Sequence, residues 1–324
     1  MDNTLHMTRT DLQSYIKEVF GAGYIVSNVT QMQGGAQKVV YKVDCDNGFT
    51  CVLYVWDLAL NYFQKEIENE DLHSRSYGGD LFEQNNKLLT EIGIPTPALY
   101  DLNRERSRYP FDYALVEYVE GKKLDAYINQ TDKEANYELF QQVGNMVGKM
   151  HANERDIFGK VNEIRNDIKQ CHELQMQKSK ADLRYISQYI DNFKINHNKL
   201  LEKLQELESR ITYRNRYGFT HGELGPDHFI VNNKLVPYVI DIEGAEFFDI
   251  EYEHSFLRIR FGDHYHFFDN DTLDPYRMLF YQYYHHISLT AGFLKLLHRG
   301  FPNQQFAESV IKHQSENALS FIKG

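Results

Sequence analysis

Two short stretches of this chain put carboxylates where a metal ion and a phosphate could meet. His221-Gly-Glu223-Leu-Gly-Pro-Asp227-His228 is a polar loop, and Val239-Ile-Asp241-Ile-Glu243 sets two further acids at the end of an apolar run, with a short hairpin between them. Carboxylate oxygen is what a hard cation such as Mg²⁺ prefers, and such a cation commonly bridges protein and phosphate. Within 221–253 the acids Glu223, Asp227, Asp241, Glu243, Glu246, Asp249, Glu251 and Glu253 face the single base Lys234. A charge run is ordinarily a solvated face. These acids, however, flank apolar strands, and crowded carboxylates repel unless a cation neutralises them. Glu246, Asp249 and Glu253 are therefore expected to be partly structural, tying the loop to the helix that follows. Asp227 either caps the turn after Pro226 or meets substrate, and Glu246 is a second substrate candidate. His221 reads as a structural histidine bonded to loop backbone rather than as a proton shuttle.

The elements that must position these residues are legible in the periodicity. Residues 11–20 form a short amphipathic pattern; 24–32, 38–44 and 49–56 are rich in Val, Tyr and Thr and read as strands. Asn47-Gly48 between the last two is a strong hairpin signal. Residues 81–92 are apolar at helical spacing and stop at Gly93, with Pro95 and Pro97 beyond, as helix ends often do. A further strand is expected at 111–119, and Gly121 marks the crossing to a second lobe. Helices are then expected at 137–152, 167–190, 194–211, 276–298 and 306–322. A sheet domain followed by a mainly helical one is an α+β order. The Tyr281-Gln-Tyr-Tyr-His285-His286 cluster reads as helix packing, since a histidine metal pair lacks a third ligand.

Charge and cysteine usage narrow the function class. The 46 acidic against 35 basic side chains give a net charge of −11, which argues against a nucleic-acid partner and favours a cationic small molecule. No apolar run approaches the roughly 18 residues of a membrane span, and Met-Asp-Asn-Thr-Leu-His at the start has no basic stretch leading into an apolar one, so a cytoplasmic protein is expected. Cys45, Cys51 and Cys171 match no metal spacing and read as buried thiols in a reducing compartment.

The motifs together resemble the aminoglycoside phosphotransferase and choline kinase group of the protein-kinase-like fold. Gly34-Gly35-Ala-Gln-Lys38-Val-Val40-Tyr is similar to its nucleotide loop, Leu115-Val-Glu117-Tyr-Val119 to its hinge, His221-Gly-Glu223 to its catalytic loop, and Ile240-Asp241-Ile-Glu243 to its metal-binding strand end. The resemblance runs in order from about 24 to 256. It implies a bilobal fold: an N-terminal antiparallel sheet lobe at 1–118 with one regulatory-type helix, and a larger helical lobe at 119–324 holding a catalytic loop at 219–228, a strand end at 239–243 and an insertion near 160–212.

Physical reasons for these residue types stand beside the resemblance. Phosphoryl transfer needs positioning and charge stabilisation more than covalent help. Gly34 and Gly35 would let backbone N–H groups approach phosphates; Glu117 to Val119 would offer hinge backbone groups to a base, with Val40 and Leu53 as apolar covers. Asp241 would hold Mg²⁺, and Glu223 would orient the attacking hydroxyl and accept its proton. Glu83 stands where the family places the acid that pairs with a phosphate-binding lysine.

Three positions depart from the family pattern. Glu223 replaces the usual Asp and His228 the usual Asn ligand, so either Mn²⁺ or Zn²⁺ is used or Glu243 and water complete the metal shell. Tyr54 stands where the third strand should carry its lysine. Lys38 is similar in placement to the relocated lysine of the with-no-lysine kinases; the alternatives are a solvated strand lysine there, or service by Arg75 or Lys65. The reading implied is transfer of a γ-phosphate from ATP, with GTP possible, to a hydroxyl of a small cationic molecule such as an aminoglycoside-like compound, another antibiotic or an amino alcohol, using Mg²⁺ or Mn²⁺. The other class is a kinase-like nucleotide-binding or regulatory protein with impaired turnover.

Overall fold

The computed structural model describes residues 6–32, 38–69, 75–128, 133–163 and 170–323. Gly34 and Gly35 of the expected nucleotide loop lie outside the described residues. Along the chain run α1 (Arg9–Phe20), β1 (Val26–Gln31), β2 (Val39–Cys45), β3 (Thr50–Trp56), α2 (Gln64–Asn69), α3 (Gly79–Glu91), β4 (Leu99–Asn103), β5 (Asp112–Glu117) and β6 (Gly121–Lys123). They are followed by α4 (Asp125–Ile128), α5 (Lys133–His151), β7 (Glu154–Arg155), α6 (Cys171–Ile186), α7 (Asp191–Ile195), α8 (His197–Glu208), β8 (Tyr217–Thr220), β9 (Phe229–Asn232) and β10 (Pro237–Val239). The last elements are β11 (Glu246–Phe248), α9 (Ile250–Phe261), α10 (Pro275–His298) and α11 (Gln304–Ser320). The order is the expected α+β one.

The chain divides into two compact units. The first takes Met1–Lys149, Lys160–Glu163 and Pro226–Ala245, and the second Met150–Gly159, Ile164–Gly225 and Glu246–Gly324. This partition differs from a boundary at 118. Pairing explains the difference, because β6 runs antiparallel to β9 with Lys122 opposite Val231, which ties the 226–245 hairpin to the first unit.

The first unit is built on a five-stranded antiparallel sheet in the order β1-β2-β3-β5-β4. The central strand β3 is buried along nearly its whole length, as a strand covered on both faces must be. The β2–β3 turn closes at Gly48, whose φ of 83° is the left-handed conformation that Asn-Gly turns supply. On one face α1 buries Leu12, Tyr15 and Ile16 against Tyr41, Val43 and Leu53. Thr8 caps that helix by accepting a hydrogen bond from the Asp11 amide at 3.1 Å. On α3, Leu81, Phe82, Asn85 and Leu89 are buried, and the helix ends before Gly93 at φ 67°.

The second unit packs α10 with α6, α8, α9 and α11 and carries a small sheet in the order β11-β8-β7. Asp274 caps α10 and Pro275 begins it, the asymmetry expected of a helix start. Instead of one helix over 194–211, α7 and α8 are separated at Asn196, whose φ of −102° and ψ of 12° depart from helical values. The three cysteines are free and buried. Among the described residues no helix is long and apolar enough to cross a membrane.

Candidate active site

In the first unit the chemistry gathers at the end of the β9–β10 hairpin. The strand end is fixed from two sides: the Val239 amide donates to the Pro95 carbonyl at 2.9 Å, and the Thr96 hydroxyl donates to the Val239 carbonyl at 3.0 Å. Past it, Asp241 adopts φ 63° and ψ 45°, the left-handed region that costs a non-glycine residue energy and is tolerated best by short polar side chains. The tight turn that follows is held by Asn85 of α3, whose amide donates to the carbonyls of Ile242 at 2.7 Å and Ala245 at 3.1 Å.

Asp241 and Glu243 converge on one cation. The Lys38 ammonium lies 2.6 Å from Asp241 Oδ1 and 2.7 Å from Glu243 Oε1, and the Trp56 indole N–H donates to the same Glu243 oxygen at 2.9 Å. Lys38 and Glu243 are buried, whereas the Asp241 side chain is 45% exposed. Burial alone would lower the lysine pKa, but the Asp241 and Glu243 carboxylates outweigh it and the net shift is upward. Lys38 thus remains charged. Its ammonium also stands 5.0 Å from the centre of the Tyr54 ring, whose hydroxyl is pushed up to about 12, chiefly by burial.

Where a strand lysine was expected, β3 carries Tyr54, with the Lys38 ammonium over its ring. Tyr54 packs edge-on against Trp56 and Phe82, so Phe82, not Glu83, is the α3 residue facing β3. Glu83 is corrected from its expected role: it is 46% exposed and reaches Arg104 at 3.4 Å, not Lys38. Glu243, expected as a metal ligand, has its Oε1 committed to Lys38 and Trp56. His228 Nε2 stands 3.7 Å from Asp241 Oδ2 and 3.9 Å from Asp227 Oδ2. On the hinge stretch, Glu117 exchanges hydrogen bonds with the Ala98 backbone at 2.8 and 3.0 Å, and Val119 is buried. Val40 pairs with Tyr54 across β2 and β3, and Leu53 is buried in the sheet core.

Among the described residues no group of three His, Cys, Asp or Glu could hold a metal ion alone. That is compatible with Mg²⁺, which is usually bound through one or two carboxylates plus substrate phosphates. Asp241, half exposed and already facing a cation, fits that part.

In the second unit the catalytic-loop stretch leaves β8 and is gripped from below. Both backbone amides at its start, His221 and Gly222, donate to Glu253 Oε1 at 2.9 and 3.0 Å, while His151 Nε2 is 2.7 Å from Oε2. Burial favours protonating Glu253, but the hydrogen bond from His151 leads the opposing effects and holds the carboxyl below its ordinary range. Gly218 is required here: a Cβ would sit 2.6 Å from Ile250 Cγ2 and 2.7 Å from the His151 carbonyl. Glu223 is exposed on the loop. Glu246 begins β11 opposite Thr220, and its carbonyl accepts the Thr220 hydroxyl at 3.1 Å.

Asp249 and Glu251 are fully buried with fixed partners. Arg277 and Tyr281 bond Asp249, the latter at 2.5 Å, and Arg214 grips Glu251 bidentately at 2.6 and 2.7 Å. Trp56, Asn85 and His151 are not among the residues the sequence singles out, whereas the structural part expected of Glu253 is seen in its bonds to the loop amides. For Trp56 a signal existed, since it ends β3 on the same alternating face as Tyr54.

These features define a kinase-like fold, and comparison with known proteins agrees. The model of the phosphotransferase enzyme family matches residues 81–290, more than half of the chain, and the chain belongs to that family. A putative aminoglycoside phosphotransferase from Ralstonia eutropha superposes with a TM-score of 0.67 at 14% identity, covering 98% of this chain and 98% of that one. Spectinomycin phosphotransferase in complex with ADP and spectinomycin gives 0.65 at 12% identity, covering 97% of this chain and 98% of that one. Aminoglycoside phosphotransferase APH(4)-Ia gives 0.64 at 16% identity, covering 95% and 98%. At these identities the likeness is one of fold. No curated protein matches the sequence.

Proposed function

We propose that this protein transfers the γ-phosphate of ATP or GTP to a hydroxyl group of a small cationic molecule. The observation that carries the reading is the buried Lys38 ammonium between Asp241 and Glu243, a cation placed beside an aspartate in the left-handed conformation. Asp241 would hold the divalent ion, Mg²⁺ or Mn²⁺, with His228 beside it; when bound, that ion neutralises and aligns the phosphates. Lys38 supplies the positive charge that Tyr54 cannot. Glu223, exposed on a loop whose backbone Glu253 immobilises, orients the acceptor hydroxyl and takes its proton. Asp227 and Glu246 would meet positive groups of the acceptor, in keeping with the net charge of −11.

The test is a panel of aminoglycosides, other hydroxylated antibiotics and amino alcohols assayed with ATP and GTP, in Mg²⁺ and in Mn²⁺. Phosphorylated product from wild type that disappears in Asp241→Ala supports the proposal. Binding of nucleotide with no product on any acceptor in either metal would favour a binding protein instead.

A further inference from the structure

We propose that Glu243 and Trp56 are positioning residues for Lys38, a buried acid and indole that take over the work an acid on the sheet-facing helix would otherwise do. The inference rests on the phosphotransferase reading above and assigns Glu243 to the lysine rather than to the metal.

Strand register brings the three together. Val39 pairs with Val55 in the antiparallel β2–β3 ladder, so one residue further out Lys38 and Trp56 face each other at the strand ends. Directly opposed residues in such a ladder project to the same face. Their two donors, Nζ and Nε1, close on one oxygen, Glu243 Oε1, at 2.7 and 2.9 Å. Glu243 is in turn held from behind, because Asn85 of α3 bonds the backbone carbonyls of Ile242 and Glu243 at 2.7 and 3.4 Å. The helix therefore still sets the lysine, but through an amide and a turn instead of a carboxylate of its own. Phe82 fills the gap against Tyr54 and Trp56.

The two acids that share Lys38 differ in what they can do next. Asp241 is 45% exposed and Glu243 only 6%. A metal–nucleotide complex can draw Asp241 away, and Lys38 then keeps Glu243 while its remaining N–H groups turn to phosphate oxygens. A charge-assisted bond to a buried carboxylate, doubled by an indole donor, is strong enough to hold a flexible lysine stem in place.

Trp56 is the single tryptophan of the chain, so its emission reports on this contact without labelling. The experiment compares wild type, Glu243→Gln, Glu243→Asp and Trp56→Phe by calorimetric titration of ADP, once in EDTA and once across a Mg²⁺ series, with tryptophan emission recorded alongside for the three proteins that keep Trp56. Expected are metal-free ADP binding weakened about tenfold in Glu243→Gln and about threefold in Trp56→Phe, partial recovery in Glu243→Asp, and a half-saturating Mg²⁺ concentration within about twofold of wild type throughout. The nucleotide-free emission of Glu243→Gln is expected to differ from wild type. Unchanged metal-free affinity together with a Mg²⁺ requirement raised about tenfold in Glu243→Gln would overturn the inference and make Glu243 a metal ligand. Failure of the parent reading shows elsewhere, as wild type that binds no ADP in either condition, and the inference falls with it. Should Glu243→Gln not fold, Trp56→Phe, which keeps an aromatic ring against Phe82, decides by the same comparison of ADP and Mg²⁺ dependence.

Discussion

Asp241 and Glu243 on one side, and Asp249, Glu251 and Glu253 on the other, form one acidic run in the sequence and belong to two units in the structure. The first pair shares a lysine, and one of its members is 45% exposed. The second set is fully buried, and each acid is tied to guanidinium, imidazole or backbone amides that have nowhere else to go. Identical chemistry thus serves two ends. On the proposed reading Asp241, which keeps solvent access, exchanges its lysine for a metal ion; the sealed acids are scaffolding, and Glu253 among them holds the backbone of the loop bearing Glu223.

The sharpest way to break this contrast is to remove one acid from each set. Asp249→Ala leaves the buried Arg277 with only the more distant Asp274, 3.8 Å away, and is expected to cost about 3 kcal/mol of unfolding free energy. Asp241→Ala leaves Lys38 with Glu243 and is expected to cost less than about 1 kcal/mol while abolishing transfer. Urea unfolding of both variants checks this; equal losses would erase the distinction.

Acidification should separate the units next. Burial brings His254 and His285 down to about 3 and His172 to about 4, against an ordinary value of 6.5. Below 6.5 the unfolded chain therefore binds protons that the folded one refuses, so this stability is complete above pH 6.5 and drains away as the pH falls toward 4. Each of the two most depressed histidines is expected to cost about 2 kcal/mol between pH 7 and pH 5. Glu253, with its pKa lowered, acts in the same direction as the pH falls through its folded value. Lys38 behaves oppositely: its raised pKa stabilises everywhere below the usual lysine range and is lost only in strong alkali. Melting temperatures from pH 5 to pH 8 report the acid limb; a flat profile would contradict the burial of these imidazoles.

The smallest expected effect belongs to Glu83→Ala. With its partner Arg104 on the surface, it should change stability by less than about 0.5 kcal/mol and leave nucleotide affinity unaltered. A large loss of affinity would restore the helix acid to the site.

How much of this was legible depended on range. The Asn47-Gly48 hairpin, the stop of α3 before Gly93 and a helix over 276–298 rest on local signals, and the structure shows each within a residue or two. Lys38 enters the sequence reading through the likeness of its loop to that of the with-no-lysine kinases, beside the alternatives of a solvated lysine, Arg75 or Lys65. Glu83 misled because one step along a helix turns a side chain by about 100°, enough to give the sheet-facing place to Phe82. The grip of Glu243 on Lys38 and Trp56 spans most of the chain and leaves no periodic trace. The helix α9 escaped notice because it buries Glu251, Glu253 and His254 along with its apolar residues, so polarity no longer marks its outer face.

The central claim is that Lys38 does the work of the absent strand lysine, and titrating ADP with Mg²⁺ into wild type and Lys38→Ala tests it most directly. Affinity at least about tenfold weaker is expected in the variant, with an unfolding free energy high enough to show that it is folded. Equal affinity in two folded proteins would contradict it.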